Sequence, residues 1–144
     1  MGEDPCLSSK MAAEMVQGLG GGDLSLPYST IATLKHFIAY GVSEGGQNGA
    51  RSIVGPRELK QVFLQPFRRV ITAGALSVMT SYNSLDGVPC TSNKELLTNV
   101  LWNEWLFKGF VVSDLFSIDG LKGTHHTASS SQDAAIQASG TPCK

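Results

Sequence analysis

The chain has 144 residues, of which 42% are hydrophobic, and this size and composition suit one globular domain rather than a disordered segment. The formal net charge is -1 and no block of like charges occurs, so the sequence predicts neither a nucleic-acid partner nor binding to an anionic membrane surface. The longest apolar-leaning run, ITAGALSVM, is much shorter than the ~20 residues of a membrane-spanning helix. The composition leaves a small neutral ligand open.

The cysteines and glycines give no sign of a metal or cofactor site. Cys6, Cys90 and Cys143 are far apart and form neither a CxxC pair nor a zinc-type Cys/His cluster, so we predict no disulfide framework and no metal centre. The glycines at 18 and 20–22 follow a predicted helix rather than a strand, which is not the dinucleotide-binding pattern. The first ten residues carry acidic side chains and a proline, so we expect no signal peptide there, and the residues themselves do not indicate a location.

Predicted helices and strands alternate along the chain. In chain order they are a helix from about Asp4 to Val16, a strand in IATLKHFIAYG (31–41), a helix from about Pro56 to Ala73 that stops at Gly74, a strand in ALSVMTSYN (75–83), a helix capped by Ser92 or Asn93 and running to Trp105, a strand in GFVVSD (109–114), and a weaker helix from Ser130 to Ala138. Near-continuous apolar strands that alternate with helices are typical of parallel α/β architecture.

Polar side chains lie where each predicted strand ends: Lys35 with His36, Tyr82 with Asn83, and Asp114. Binding and catalytic groups collect at the carboxyl ends of parallel strands, so we expect these sets to lie on one rim. Other interpretations stay open. Asp114 is equally suited to cap a helix or stabilise a loop. Lys35 and His36 could form a strand-end salt bridge and a satisfied histidine, and Tyr82 could be a core or rim aromatic. The convergence of the three sets favours a site.

Four longer segments carry a further signal: GEDPCL, TLKHFIAYG, ELKQVFLQPFRRVITAGALSVMTSYNSLDGVPCTSN and LLTNVLWNEWLFKGFVVSD. In this order they resemble consecutive parts of the catalytic barrel of glycoside hydrolase family 3, bacterial β-glucosidase type, from about Gly2 to Ala138. The resemblance implies an α/β fold with a partial TIM (β/α)8 barrel of roughly three consecutive βα units, because a full barrel needs about 250 residues. Residues 1–144 would then be a fragment of the N-terminal catalytic barrel domain, and the parent protein would be periplasmic or secreted.

The same resemblance implies a retaining β-glucosidase that releases terminal non-reducing β-D-glucose from a small-molecule or oligosaccharide β-glycoside, without a metal or other cofactor. Asp114 matches the family's catalytic nucleophile. Lys35 and His36 match the pair that hydrogen-bonds sugar hydroxyls, and Met79 and Tyr82 match residues that line the same subsite. A nearby lysine and a tyrosine hydroxyl would favour the charged carboxylate that a nucleophile needs.

The sequence departs from the family pattern at three positions. Leu115 stands where tryptophan usually follows the nucleophile, Trp102 where arginine is usual, and Leu106 where glycine is usual. The resemblance also places an upstream aspartate and arginine of the sugar site before Met1 and the general acid/base after Lys144. We therefore expect the acid/base to lie outside this chain and the isolated chain to be inactive. A β-xylosidase of the same family, a non-catalytic truncated remnant and a weak sugar-binding module stay open as alternatives.

Overall fold

A parallel sheet forms the centre of the computed structural model, which describes residues 2–140. Within that range the strands are β1 (Thr33–Phe37), β2 (Arg51–Ser52), β3 (Ser77–Thr80), β4 (Ser84–Leu85), β5 (Val88–Pro89) and β6 (Phe110–Val112). The main sheet has the order β1-β3-β6, and both of its pairs are parallel. The three predicted strands are therefore confirmed, each shorter than its apolar run, and lie side by side in chain order as in a partial (β/α)8 barrel. The predicted fold class is confirmed.

Helices precede, connect and follow the strands of the main sheet. Among the described residues they are α1 (Pro5–Gly20), α2 (Pro56–Glu58), α3 (Leu64–Thr72), α4 (Ser117–Gly123) and α5 (Ser131–Ser139), with π-helical segments at Leu59–Phe63 and Glu95–Glu104 and short 3-10 turns at Tyr40–Val42, Glu44–Gly46 and Cys90–Ser92. The predicted helix over 56–73 is thus one helical stretch, made of α2, a π-helical segment and α3.

The helix ends follow from local capping. Asp4 accepts a 2.6 Å hydrogen bond from the Leu7 N–H and Pro5 is the first helical residue, so α1 begins as predicted. It ends four residues later than predicted, because glycine inside a helix costs only about 1 kcal/mol and the left-handed residue that stops it is Gly21. Asn93 Oδ1 accepts from the Leu96 N–H at 3.1 Å, which confirms the predicted cap at that position.

The core lies between the sheet and the helices. Phe37 is fully buried and packs edge-to-face on Phe67 and Trp105, with ring centroids 5.0 and 6.2 Å away. The Trp102 ring packs on the ring of the buried Phe107, with centroids 5.2 Å apart. An aromatic ring therefore takes a place at the edge of the core on this helix.

The second sheet and helix α4 were not predicted. The segment after β3 was expected to be a loop, but β4 and β5 form a hairpin whose turn residues, Asp86 and Gly87, both have left-handed backbone, with φ of 49° and 90°. The hairpin pairs with β2 in a second small sheet. Helix α4 was also missed, because its seven residues include two glycines and give little periodic signal.

Cys143, with the rest of 141–144 and Met1, lies outside the described residues. Over residues 2–140 no helix combines the length and apolar character needed to cross a membrane. In the same range no group of three or more His, Cys, Asp or Glu side chains is arranged to hold a metal ion.

Candidate active site

Asp114 lies two residues beyond the carboxyl end of β6, and its carboxylate is held by three groups. Oδ1 accepts hydrogen bonds from the Leu115 N–H at 2.7 Å and from the Tyr82 hydroxyl at 3.0 Å. Oδ2 lies 3.2 Å from His36 Nε2, and the two side chains are 14% and 26% exposed. The carboxylate is therefore fixed in position but still reachable from solvent.

These contacts come from adjacent strands of the main sheet. His36 belongs to β1, and Tyr82 follows the end of β3 by two residues. The pairing of β1 with β3 shifts register around His36, between Leu34 and Phe37. Parallel strands end on the same side of a sheet, so the three side chains meet at one rim. Asp114, His36 and Tyr82 thus come together as the sequence predicted.

Lys35, Met79 and Asn83 do not bond to the Asp114 carboxylate. Lys35 is exposed on β1 and makes no side-chain hydrogen bond or ion pair within residues 2–140. Met79 is half-buried on β3, where its Cα pairs with that of Val112. Asn83 is fully buried and donates to the Ile38 carbonyl at 3.1 Å and to Ser52 Oγ at 3.0 Å, so its role is to join the segments after β1 and β3.

The alternative interpretation of Asp114 as a helix cap is wrong, whereas a loop-stabilising role is seen in its bond to the Leu115 N–H. The next helix, α4, begins at Ser117, and its cap residue is Phe116, which makes no side-chain capping hydrogen bond. The carboxylate instead bonds to its own neighbour's N–H and to a tyrosine from another strand. Of the alternative stated for Lys35 and His36, the satisfied histidine is found, since His36 Nε2 lies 3.2 Å from Asp114 Oδ2, but Lys35 forms no ion pair within residues 2–140.

Tyr82 remains a hydrogen-bond donor to the carboxylate over the physiological pH range. Partial burial raises the pKa of its phenol, and the hydrogen bond to Asp114 and the charge of that carboxylate raise it further. The hydroxyl also lies 2.8 Å from the Leu115 carbonyl, so the one proton is shared between two acceptors. A protonated phenol placed there supplies a fixed donor to a charged acceptor.

Further residues around the site escaped sequence reasoning. The Tyr40 ring lies 4.8 Å from the His36 ring and 6.3 Å from the Tyr82 ring, and its hydroxyl donates to Asn48 Oδ1 at 2.6 Å. His125 Nε2 lies 2.8 Å from the Tyr82 carbonyl oxygen. Tyr40 belongs to the first predicted strand's run, but no spacing rule marks it, and Asn48 and His125 lie in segments predicted as loops or left unassigned.

A small cavity adjoins the cluster. Its volume is about 200 Å³, and it is lined by Asn48, Gly49, Tyr82, Phe116, Ser117, Gly120, Thr124 and His125. Beside it the side chains of Leu115 and Phe116 are 69% and 72% exposed. An apolar surface thus directly follows the carboxylate along the chain, as is usual where a ligand site combines apolar walls with few polar groups.

Comparison with known proteins identifies relatives for this arrangement. Residues 1–140 match the family model for the glycosyl hydrolase family 3 N terminal domain. A beta-xylosidase from Formosa agariphila is 39% identical over 138 residues, covering 94% of this chain and 19% of the relative. The periplasmic beta-glucosidase of Salmonella typhimurium is 39% identical over 133 residues, covering 92% of this chain and 17% of the relative.

A solved structure matches equally well. The crystal structure of a beta-glucosidase from Listeria innocua in complex with isofagomine superposes with a TM-score of 0.90 at 37% identity, covering 95% of this chain and 19% of that one. The present chain therefore spans about a fifth of the length of the relatives that it matches.

Proposed function

Because the chain belongs to glycosyl hydrolase family 3, we propose that it is the part of a retaining β-glucosidase barrel that carries the nucleophile, Asp114. The observation behind the proposal is the contact set of that carboxylate. It is partly exposed at the end of a parallel strand and receives hydrogen bonds from Tyr82 and the Leu115 N–H, with His36 on its other oxygen. Contacts to both oxygens hold the carboxylate in one orientation, which is what a nucleophile requires.

The chemistry proceeds by two displacements. A carboxylate oxygen of Asp114 attacks the anomeric carbon of a β-D-glucoside while the bond to the leaving oxygen breaks and a general acid protonates that oxygen. Water, deprotonated by the same acid/base group, then attacks the glycosyl-enzyme and frees the carboxylate, so the product is again β. We propose that the acid/base comes from outside residues 1–144.

Sugar binding is assigned to the residues around the nucleophile. Lys35, exposed on the same strand as His36, would hydrogen-bond hydroxyls of the bound glucose together with that histidine, and Met79 and Tyr82 would line the same subsite. Charged and fixed donors suit this task because hydrogen bonds to an ionised group are the stronger ones. A β-xylosidase is the second candidate, because the 39% identity to the beta-xylosidase of Formosa agariphila equals that to the periplasmic beta-glucosidase of Salmonella typhimurium.

Covalent trapping in the full-length protein that contains this chain tests the nucleophile. A 2-deoxy-2-fluoro-β-glucoside with an activated leaving group should label Asp114, because the fluorine slows both displacements while the leaving group speeds only the first, so the glycosyl-enzyme accumulates. Peptide mapping by mass spectrometry should find one fluoroglucosyl group on Asp114. Asp114→Asn should abolish labelling and turnover, whereas Asp119→Asn, the same change on an exposed residue of α4, should leave both intact.

The stereochemistry gives an independent check. Proton NMR of the first product from a β-glucoside should show the β-anomer.

Lys35→Ala should lower kcat/KM by about 10–10²-fold, the value of a hydrogen bond to a charged group, without moving the label from Asp114. A first product of α configuration, or a label on another residue, would contradict the assignment.

A further inference from the structure

We propose that Tyr40, anchored by Asn48, is a positioning residue that keeps His36 in place against the nucleophile. This inference rests on the proposed function of Asp114. Tyr40 is not itself in contact with the carboxylate. It lies behind the two side chains that are, with its ring 4.8 Å from His36 and 6.3 Å from Tyr82.

The hydroxyl of Tyr40 fixes the ring at its far end. It donates a 2.6 Å hydrogen bond to Asn48 Oδ1, on the loop that follows β1. That loop is tied down separately, because Gly49 packs on Thr124 so closely that an added Cβ would lie 2.9 Å from Thr124 Cγ2. The ring therefore has one end held by a packed loop and lies in tilted contact with His36, at an interplanar angle of 45°. A ring held in this way restricts the rotation of the imidazole that it contacts.

His36 depends on this contact more than Tyr82 does. Tyr82 is held by its hydroxyl, which bonds to Asp114 and Leu115, and by its carbonyl oxygen, 2.8 Å from His125 Nε2. Within residues 2–140 the polar and ring contacts of the His36 side chain are Asp114 and Tyr40 alone. Loss of Tyr40 would leave the imidazole with one partner, and the 3.2 Å distance to Asp114 Oδ2 would no longer be fixed. Displacement of a catalytic contact by about 1 Å can cost ~10²-fold in rate.

The experiment measures how fast Asp114 is labelled by the fluoroglucoside in the full-length protein. The rate constant at saturation reports formation of the glycosyl-enzyme, separately from the concentration needed for half-saturation. Tyr40→Leu removes ring and anchor, and we expect the rate constant to fall about 10–10²-fold. Tyr40→Phe and Asn48→Ala each remove only the anchor, so both should cause a smaller loss of equal size, and the double variant should be no slower than either single one.

Action through His36 is tested by combining substitutions. In a His36→Ala background Tyr40→Leu should change the labelling rate less than twofold, because the group that it positions is already gone. Tyr28→Leu, at a tyrosine that is 73% exposed in the loop after α1, is the matched control and should label at the wild-type rate. If Tyr40→Leu does not fold, Tyr40→Phe and Asn48→Ala decide the question by themselves.

The outcomes separate the two proposals. Failure of the wild-type protein to be labelled at Asp114 would overturn the proposed function. Labelling of the wild type at Asp114, with unchanged rate constants in the Tyr40 and Asn48 variants, would overturn only the role of Tyr40. A loss in Tyr40→Leu that is equally large with and without His36 would also overturn it.

Discussion

Gly109, the residue before β6, allows the strand that carries Asp114 to lie directly against β3. The Phe110 N–H bonds to the Leu76 carbonyl at 3.0 Å. A Cβ on Gly109 would lie 2.6 Å from Leu76 Cα and closer still to the Leu76 carbonyl group. Carbon contacts normally begin at about 3.5 Å, so Gly109→Ala forces the backbone apart by roughly 1 Å. Because the obstacle is backbone, no side chain can rotate to make room.

The expected cost of Gly109→Ala follows from this displacement. Overpacking of this kind costs about 1–3 kcal/mol, which corresponds to a fall in Tm of about 2–10 °C for a barrel-sized domain. Displacement of β6 also moves Asp114 away from His36 and Tyr82, so kcat/KM for a β-glucoside should fall about 10²-fold.

Both quantities are measured on the full-length protein, by thermal unfolding and by initial rates. Gly18→Ala is the matched control, since Gly18 lies inside α1 with no atom within 4 Å of the added Cβ. That change should be neutral or stabilise by about 0.5–1 kcal/mol. A Gly109→Ala protein with wild-type Tm and wild-type kcat/KM would show that β3 and β6 are not packed this closely.

Three further predictions follow from the sheet, the loops and the relatives. Leu106 is 70% exposed and has a φ of 53°, a left-handed backbone that strains a side chain with a Cβ. Leu106→Gly should therefore stabilise the protein by about 0.5–1 kcal/mol, and Leu106→Ala should not. Equal Tm values for the two variants would contradict this backbone strain. The kcat/KM of the full-length protein should be higher for a chromogenic β-glucoside than for the matching β-xyloside. The reverse order would favour a β-xylosidase. Residues 1–144 expressed alone should associate on size-exclusion chromatography and show no β-glucosidase turnover, because β1 and β6 end the described sheet and Leu7, Met11 and Met15 are 44–53% exposed along α1. A monodisperse monomer whose β-glucosidase activity is lost in Asp114→Asn would contradict that expectation.

The main sheet was predictable because each of its strands is an apolar run between helices of clear periodicity. Parallel topology then implies that the carboxyl ends of neighbouring strands share a rim, and this predicts that Asp114, His36 and Tyr82 lie together. The same reasoning did not separate Tyr82 from Asn83. Tyr82 faces the rim and Asn83 is fully buried. Which of these two adjacent residues faces the rim depends on where β3 ends.

The contacts behind the rim were not predictable from local patterns. Tyr40 reaches Asn48 through a loop of irregular 3-10 turns, and His125 meets Tyr82 from beyond α4, 43 residues further along the chain. Neither of these two contacts follows from the periodicity of the sequence, because loop conformation is set by tertiary packing rather than by a repeating pattern. The hairpin of β4 and β5 is different, since the Asp86-Gly87 pair is a strong hairpin signal and could have been recognised in the sequence.

Leu115 shows which part of the site tolerates a change of side chain. Its N–H donates to Asp114 Oδ1 at 2.7 Å and its carbonyl oxygen accepts from the Tyr82 hydroxyl at 2.8 Å. Both contacts use backbone atoms, so they need no particular residue at this position. The side chain itself is 69% exposed and stands beside the carboxylate. Leucine in place of the family's usual tryptophan therefore alters the apolar surface offered to a ligand, while the hydrogen bonds that hold Asp114 and Tyr82 do not depend on it.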